Sequence, residues 1–286
     1  MAKLPRYLFP NDYMADPSAN VFNGRLYIYP SHDWDAGECF DDDGGHFQMR
    51  DYHVLSWDDI ENDEATDHGV ILDVDQVKWA EKQMWDNDVV EKDGKYYLIF
   101  SAKGYDGVFH LGVAVADKPE GPFVPQDQPI RGSFSIDPCV FKDDDGQIYC
   151  FFGGLWGGQL QWWRPLPNGQ APVLGKYGDE NGLIDLGAAP DHQGELFTQA
   201  DSPAIPSAVV RMSDDVMQFA EAPRQVVILE PVVGWTTHHS IVEYKGQWYL
   251  CYHDCVPSND ITHLRSLKVQ RLYYNEDGTI KPVVNE

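Results

Sequence analysis

Four stretches of the chain repeat one plan: an acidic residue or histidine, an apolar run, a turn with glycine, then an aromatic strand. They run from Asp16 to Tyr29, Asp86 to Phe100, Asp137 to Phe151 and His238 to Tyr252, turning at Gly24, Gly94, Gly146 and Gly246. Self-similarity at intervals of tens of residues marks a repeat architecture, and hairpins of this kind suit the blades of a β-propeller. The expected fold is therefore all-β. Function is expected where equivalent strand starts converge on an axis.

Each hairpin is followed by a second half. His53–Asp58 leads to Val70–Leu72, Leu111–Asp117 to Gly121–Val124, and Val209–Asp214 to Val226–Leu229. The last unit continues through Arg265–Tyr274 and is expected to end in a strand at Thr279-Ile280. Four strands per unit is the count of a propeller blade. The units span about 16–73, 86–131, 137–229 and 238–286 of a single domain. Their starts are unevenly spaced: 70 residues from first to second, 51 from second to third, but 101 from third to fourth. That last interval could hold two units and shows one. The Gly-, Pro- and Asp-rich stretch between Trp162 and Ser207 reads as an insertion that accounts for the excess.

With 21 Lys plus Arg against 46 Asp plus Glu, the formal net charge is −25. Such a surface repels polyanions, which argues against nucleic acid and anionic membranes and leaves neutral sugars acceptable. No apolar run reaches signal-peptide or membrane-span length, so a cytoplasmic protein is expected. The 5 cysteines are an odd number and read as reduced packing thiols. Cys251 and Cys255 are spaced like weak metal ligands but lack a second pair. Asp41–Gly44 reads as a solvated turn rather than a calcium loop, because the spacing of oxygen ligands is incomplete.

Asp16 and Asp137 are the strongest candidates for chemistry. Each precedes a proline at the mouth of a strand, and proline withholds a ladder donor and restricts the residue before it. An isolated Asp-Pro pair can simply start a strand. Two pairs at equivalent places in separate repeats point both carboxylates at the axis, where like charges drive one pKa upward and make an acid and a base from one residue type. His238 precedes Gly246 by the eight residues that separate Asp16 from Gly24 and Asp86 from Gly94. It should face the axis too, either as a hydrogen-bonded core residue or in a functional, metal-proximal role, while His239 faces away by pleat alternation. Trp85 and the Trp156–Trp163 cluster either pack within blades or stack on sugar rings.

Five segments together resemble glycoside hydrolase family 43, the β-xylosidases and α-L-arabinofuranosidases: Leu8–Ser18, Tyr27–Asp33, Ser135–Pro138, Gly153–Gly158 and Trp235–Val242. The resemblance runs from about Tyr7 to Ile280 and implies a five-bladed propeller that hydrolyses with inversion. By motif, Asp16 resembles the general base that activates water, and Asp137 the aspartate that modulates the acid's pKa. His238 resembles the axial histidine near which members bind Ca2+, and Arg265 an arginine that contacts the sugar. Beside these, Trp85 and Asp86 are expected to bind substrate on their position in the second repeat rather than on the resemblance. No organic cofactor is implied.

Two departures stand out. Asp86-Asn87 occupies a place where the family commonly has Ala-Pro, which adds a carboxylate at the axis. The general acid, a glutamate that opens the fourth blade, has no counterpart, because Val226–Leu229 runs directly into Glu230–Trp235, the approach to the last unit. The chain resembles a member with one repeat deleted, so four units are found where five are the norm. Glu230 and Glu195 are weak substitutes for the acid. The expected function is an inverting, exo-acting glycosidase of short xylo- or arabino-oligosaccharides, impaired in proton donation. The alternative is a non-catalytic sugar-binding or structural remnant. Open blade edges would also leave room for pairing with a second copy.

Overall fold

The computed structural model describes residues 4–35, 37, 46–105, 109–153, 207–226 and 238–283. A short N-terminal strand, β1 (Arg6–Tyr7), precedes four antiparallel sheets. The first holds β2 (Met14–Phe22), β3 (Arg25–Trp34), β4 (Gln48–Trp57) and β5 (Thr66–Asp73). In the second, β6 (Ala80–Lys82) and β7 (Asn87–Lys92) share one edge of β8 (Lys95–Gly104), followed by β9 (Phe109–Ala116) and β10 (Val124–Pro125). The third holds β11 (Cys139–Lys142), β12 (Ile148–Phe152), β13 (Ser207–Arg211) and β14 (Arg224–Val226). The last runs β15 (Ser240–Tyr244), β16 (Gln247–Asp254), β17 (Ser266–Leu272).

Three of the four hairpins close on one kind of turn. Asn23-Gly24, Asp93-Gly94 and Lys245-Gly246 are two-residue loops, flanked by the pairs Phe22↔Arg25, Lys92↔Lys95 and Tyr244↔Gln247. Both residues of each loop have positive φ, between 52° and 78°, as the tight turn that matches strand twist requires. A common turn with a common register is why residues at a shared offset end up at equivalent places. The third hairpin has a longer loop between Lys142 and Ile148.

The sheets are arranged around an axis as in a β-propeller, with β2, β7, β11 and β15 innermost. Asp88 on β7 ties three of these strands together: it accepts from Ser18 Oγ and from Asn20 Nδ2 (3.0 Å) on β2, and from the Val140 amide (2.8 Å) on β11. Ser240 Oγ on β15 accepts the Ala19 amide at 3.1 Å. Between sheets, apolar faces interlock. Tyr29, Tyr52, Leu98 and Phe100 join the first sheet to the second; Ile99, Val113, Cys150 and Val210 join the second to the third; Leu26, Leu55, Cys251 and Val269 join the last to the first.

Among the described residues no such cluster joins the third sheet to the last, and β11 does not pack on β15 as the other inner strands pack on their neighbours. The faces turned that way stay partly open. Phe141 is 53% exposed, Phe151 38% and Trp248 37%.

One sequence expectation is corrected here. The last sheet is completed by β1, which pairs with β17 through Arg6↔Val269 and Tyr7↔Lys268. Thr279-Ile280 makes only an isolated bridge, Tyr274↔Ile280, because the Asn275–Thr279 turn folds the segment back on itself. Joining the two ends of the chain in one sheet closes the last repeat without a C-terminal strand.

Candidate active site

The inner strands begin irregularly, and the irregularities place the polar groups. Asp16 lies in a β-bulge between Ala15 and Ser18 with φ 49°. The bulge leaves Pro17 without a ladder partner to disappoint. Asp137 also has positive φ (62°), as does Ser135 two residues before it. A left-handed aspartate is uncommon, and two in matching Asp-Pro pairs are the kind of local strain that gathers at functional sites. Asp86 lies at the break between β6 and β7, held by Ser101, whose amide donates to the Asp86 carbonyl at 3.0 Å.

Asp16 is buried and fully engaged. Its Oδ2 accepts from Ser31 Oγ at 2.6 Å, its Oδ1 accepts from Arg265 Nη1 at 2.8 Å, and its amide donates to His253 Nδ1 at 3.1 Å. Arg265 is completely buried and grips Asp33 in a fork, Nε to Oδ2 at 2.8 Å and Nη2 to Oδ1 at 2.7 Å, with its own amide also donating to Oδ2. The guanidinium lies 5.3 Å from the centre of the Phe47 ring. Burial alone would raise the Asp16 pKa, but the charge of Arg265, then His253 and His238, then the Ser31 hydroxyl, bring it below its ordinary value. Asp16 is thus held ionised. Asp33 differs: burial outweighs Arg265 and leaves its pKa raised.

The neighbouring pair behaves oppositely. Asp86 is 1% exposed, and its Oδ1 lies 3.0 Å from His238 Nδ1. Burial, then the charge of Asp16, raises the Asp86 pKa to about 7. Asp137 is part-accessible but ringed by protein, 3.9 Å from His238. Withdrawal from water and then the charge of Asp86 push it well above the carboxylate range. The Asp86 and Asp137 carboxyls meet. Asp86 Oδ2 receives no donor, so this contact needs a shared proton or a cation to be favourable.

One oxygen each of Asp16 and Asp86 and one nitrogen of His238 lie within 4.8 Å of one another. Two carboxylates, an imidazole and an undonated buried oxygen fit a divalent cation. Ca2+ takes six to eight oxygens, so water or sugar hydroxyls would complete its shell. The same closeness limits the chemistry. An inverting acid and base stand about 6.5–9.5 Å apart with a sugar and a water between them. Asp86 therefore shares a wall with Asp16 and does not face it.

The family model for glycosyl hydrolases family 43 matches residues 10–167. A β-xylosidase of Xylanibacter ruminicola is 52% identical over 97% of this chain and 99% of its own length. The chain belongs to family 43. A xylosidase/arabinosidase of Bacteroides ovatus is 44% identical, covering 96% of each chain. Among solved structures, a β-xylosidase superposes with a TM-score of 0.80 at 44% identity over 98% of each chain. A β-xylosidase/α-arabinofuranosidase from a compost metagenome, solved with xylotriose in a calcium-free form, gives a TM-score of 0.81 at 40% identity, covering 99% of this chain and 98% of that one. The protein is a glycoside hydrolase with a β-propeller fold.

Within this family 43 fold, Asp16, Asp86, Asp137 and His238 are brought together at the axis, as their places in the repeats imply. Two expectations are corrected. Arg265, read as a sugar contact, spends its donors on Asp33, Asp16 and Ser31 and has no exposed face, so it holds Asp16 rather than a ligand. Trp85, read as a stacking platform, is 3% exposed and packed against Phe47 (ring centroids 4.7 Å) and Phe109 (6.1 Å), which occupy its surface. Sequence reasoning missed Ser31, Asp33 and His253. A signal existed for the first two: polar residues two apart, just after the run Leu26–Pro30. Glu195, Glu230, Asp41–Gly44, Trp156–Trp163 and Trp235 lie outside the described residues.

Proposed function

We propose that the protein is a β-xylosidase/α-L-arabinofuranosidase of short xylo- or arabino-oligosaccharides, inverting and exo-acting, that has lost the repeat carrying its proton donor. In this reading Asp16, ionised by Arg265, takes the proton from an attacking water. Asp137 and Asp86 hold one proton between them beside the water's path, and His238 orients them. A Ca2+ held by Asp16, Asp86 and His238 would supply charge neutralisation and a fixed anchor for sugar hydroxyls. Weak protonation of the leaving oxygen follows, because Asp86 lies on the same wall as the base.

The observation that carries this reading is the makeup of the axial group. Among the described residues, the carboxylates gathered around Asp16 are the aspartates Asp33, Asp86 and Asp137. Three of the described glutamates, Glu61, Glu91 and Glu120, are committed elsewhere, to Arg271, the Gly94 turn and Tyr27. The length of the match to the X. ruminicola relative supports it: 338 aligned positions against 286 residues leave at least 52 with no residue of this chain. Between the third and last sheets, where the described residues form no shared apolar cluster, is where a fourth blade would stand. Relatives solved with xylose and xylotriose favour the pentose substrate.

The test compares an aryl β-xyloside, whose leaving group departs without protonation, with xylobiose. Removing a general acid costs on the order of 10²–10⁴ in rate, so slow turnover of the aryl substrate and a deficit of that order on xylobiose are expected. Asp16→Asn should abolish both while leaving xylotriose binding measurable by calorimetry. Equal, rapid hydrolysis of the two substrates would falsify the impaired-donor reading. Binding without turnover in the unaltered protein would assign it as a sugar-binding remnant.

A further inference from the structure

A second constellation of metal-ligand chemistry lies in the first sheet, away from the axial group. His32 on β3 and Asp51 and His53 on β4 bring together two imidazoles and a carboxylate, one ligand atom from each lying within 4.8 Å of the others. The nitrogens that face Asp51 are His32 Nδ1, 2.5 Å from Asp51 Oδ1, and His53 Nε2, 4.0 Å from the same oxygen. The other nitrogen of each ring is held from outside by a further carboxylate. His32 Nε2 lies 3.3 Å from Asp12 Oδ2, and His53 Nδ1 lies 3.0 Å from Asp67 Oδ1. The two rings meet edge to face at 4.9 Å.

This is the layout in which metal-binding histidines are usually found: one nitrogen turned inward, the other fixed by a carboxylate that sets the tautomer and orientation. Three carboxylates around two imidazoles leave an excess of negative charge that a dication would neutralise. Zn2+ bound tetrahedrally at about 2.0–2.1 Å keeps its ligand atoms about 3.4 Å apart. The two inward distances, 2.5 and 4.0 Å, straddle that value. Access is open, since the His53 side chain is 14% exposed and Asp67 29%. Two imidazoles favour Zn2+ or a similar transition ion over Ca2+, which prefers oxygen.

We propose that His32, Asp51 and His53 form a Zn2+ site, with Asp12 and Asp67 as its outer support and a water completing the shell. Its place gives it a structural task. His32 lies between Ser31 and Asp33, which fix Asp16 and Arg265, and Asp12 begins the segment that leads into the Asp16 bulge. A metal here would cross-link β3 and β4 and tether both to Asp12.

The test strips the whole protein with a chelator, then titrates Zn2+ by calorimetry and Co2+ by visible absorption, which reports nitrogen ligation. The unaltered protein and a His238→Gln variant, altered only at the axial group, should both bind one ion with a tetrahedral Co2+ spectrum. His53→Gln and Asp51→Asn should lose that ion. Asp67→Asn, at a partly exposed outer position, should bind it about 10–100-fold more weakly. This last variant keeps the ligands and so remains informative if the others fail to fold. The proposal is overturned if the unaltered protein binds no transition ion, if His238→Gln removes the ion, or if Asp67→Asn binds it unchanged.

Discussion

The junction between the first and second sheets and the one between the third and last are both flanked by antiparallel hairpins, yet they end differently. At the first, Tyr29, Tyr52, Leu98 and Phe100 bury one another completely or nearly so. At the second, Phe141, Phe151 and Trp248 keep a third or more of their surface exposed, and no shared apolar cluster forms among the described residues. The polar site divides along the same line. Toward the first sheet, Asp16 has a complete set of partners; toward the third, Asp86 and Asp137 crowd together with a buried oxygen that no donor reaches. A repeat in such a fold contributes two things at once, a face for each neighbour and a side chain at the axis. On the proposed reading, a lost repeat would remove both together, so the open junction and the weak proton donation would belong to one account.

Restoring the repeat is the largest perturbation of that contrast. If the proposed loss of a repeat holds, the residues of the X. ruminicola relative that align with none of this chain, grafted between the third and last units, should supply both the covering face and the opposing acid. kcat/KM on xylobiose should rise by about 10²–10⁴, with a much smaller change on an aryl xyloside. A grafted protein that melts higher but hydrolyses xylobiose no faster would separate the two defects and break the single account.

The finished half can be tested by damaging it. Arg265 is buried between Asp16 and Asp33, so Arg265→Met leaves two carboxylates in the interior without a cation. Removing one partner of a buried ion pair costs about 3–5 kcal/mol, read as a shift in the urea midpoint at unchanged slope. Adding Asp33→Leu should return part of the loss, because one stranded charge is then gone. A loss below ~1 kcal/mol from Arg265→Met would mean that this half is no more tightly built than the other.

The sequence revealed the parts of this arrangement that repeat and concealed those that do not. Gly24, Gly94 and Gly246 each close a two-residue turn, so residues eight positions earlier were bound to reach equivalent places, and Asp16, Asp86 and His238 do. Arg265 was legible as a site residue but not in its task. Its partner Asp33 is 232 residues away in another sheet, and nothing local in either strand announces the pairing. β1 was invisible for a similar reason: a two-residue strand has no periodicity, and its place is created by the edge of β17. The His32, Asp51 and His53 group escaped notice because its members come from adjacent strands, β3 and β4, whose register shifts between Ser31 and Asp33, which no spacing along the chain encodes.

The smallest expected effect probes the unfinished half through its charge. Asp86 has a folded pKa of about 7, against about 3.9 in an unfolded chain. Between those values the folded protein holds a proton that the unfolded chain has released, so stability falls as pH rises through the window. At 1.36 kcal/mol per unit the ceiling is roughly 4 kcal/mol, and sharing of the proton with Asp137 makes the observed change smaller. Asp16 does not interfere, since its lowered pKa adds stability that is lost only at pH below the ordinary carboxylate range. Asp86→Asn removes the like charge facing Asp16 and Asp137 while keeping a polar group beside His238. Unfolding free energies measured at pH 5 and pH 8 in a chelator should therefore drop less in the variant than in the unaltered protein. An equal drop in both would mean that Asp86 is relieved by something other than a proton, and the open half would then be as well compensated as the half around Asp16.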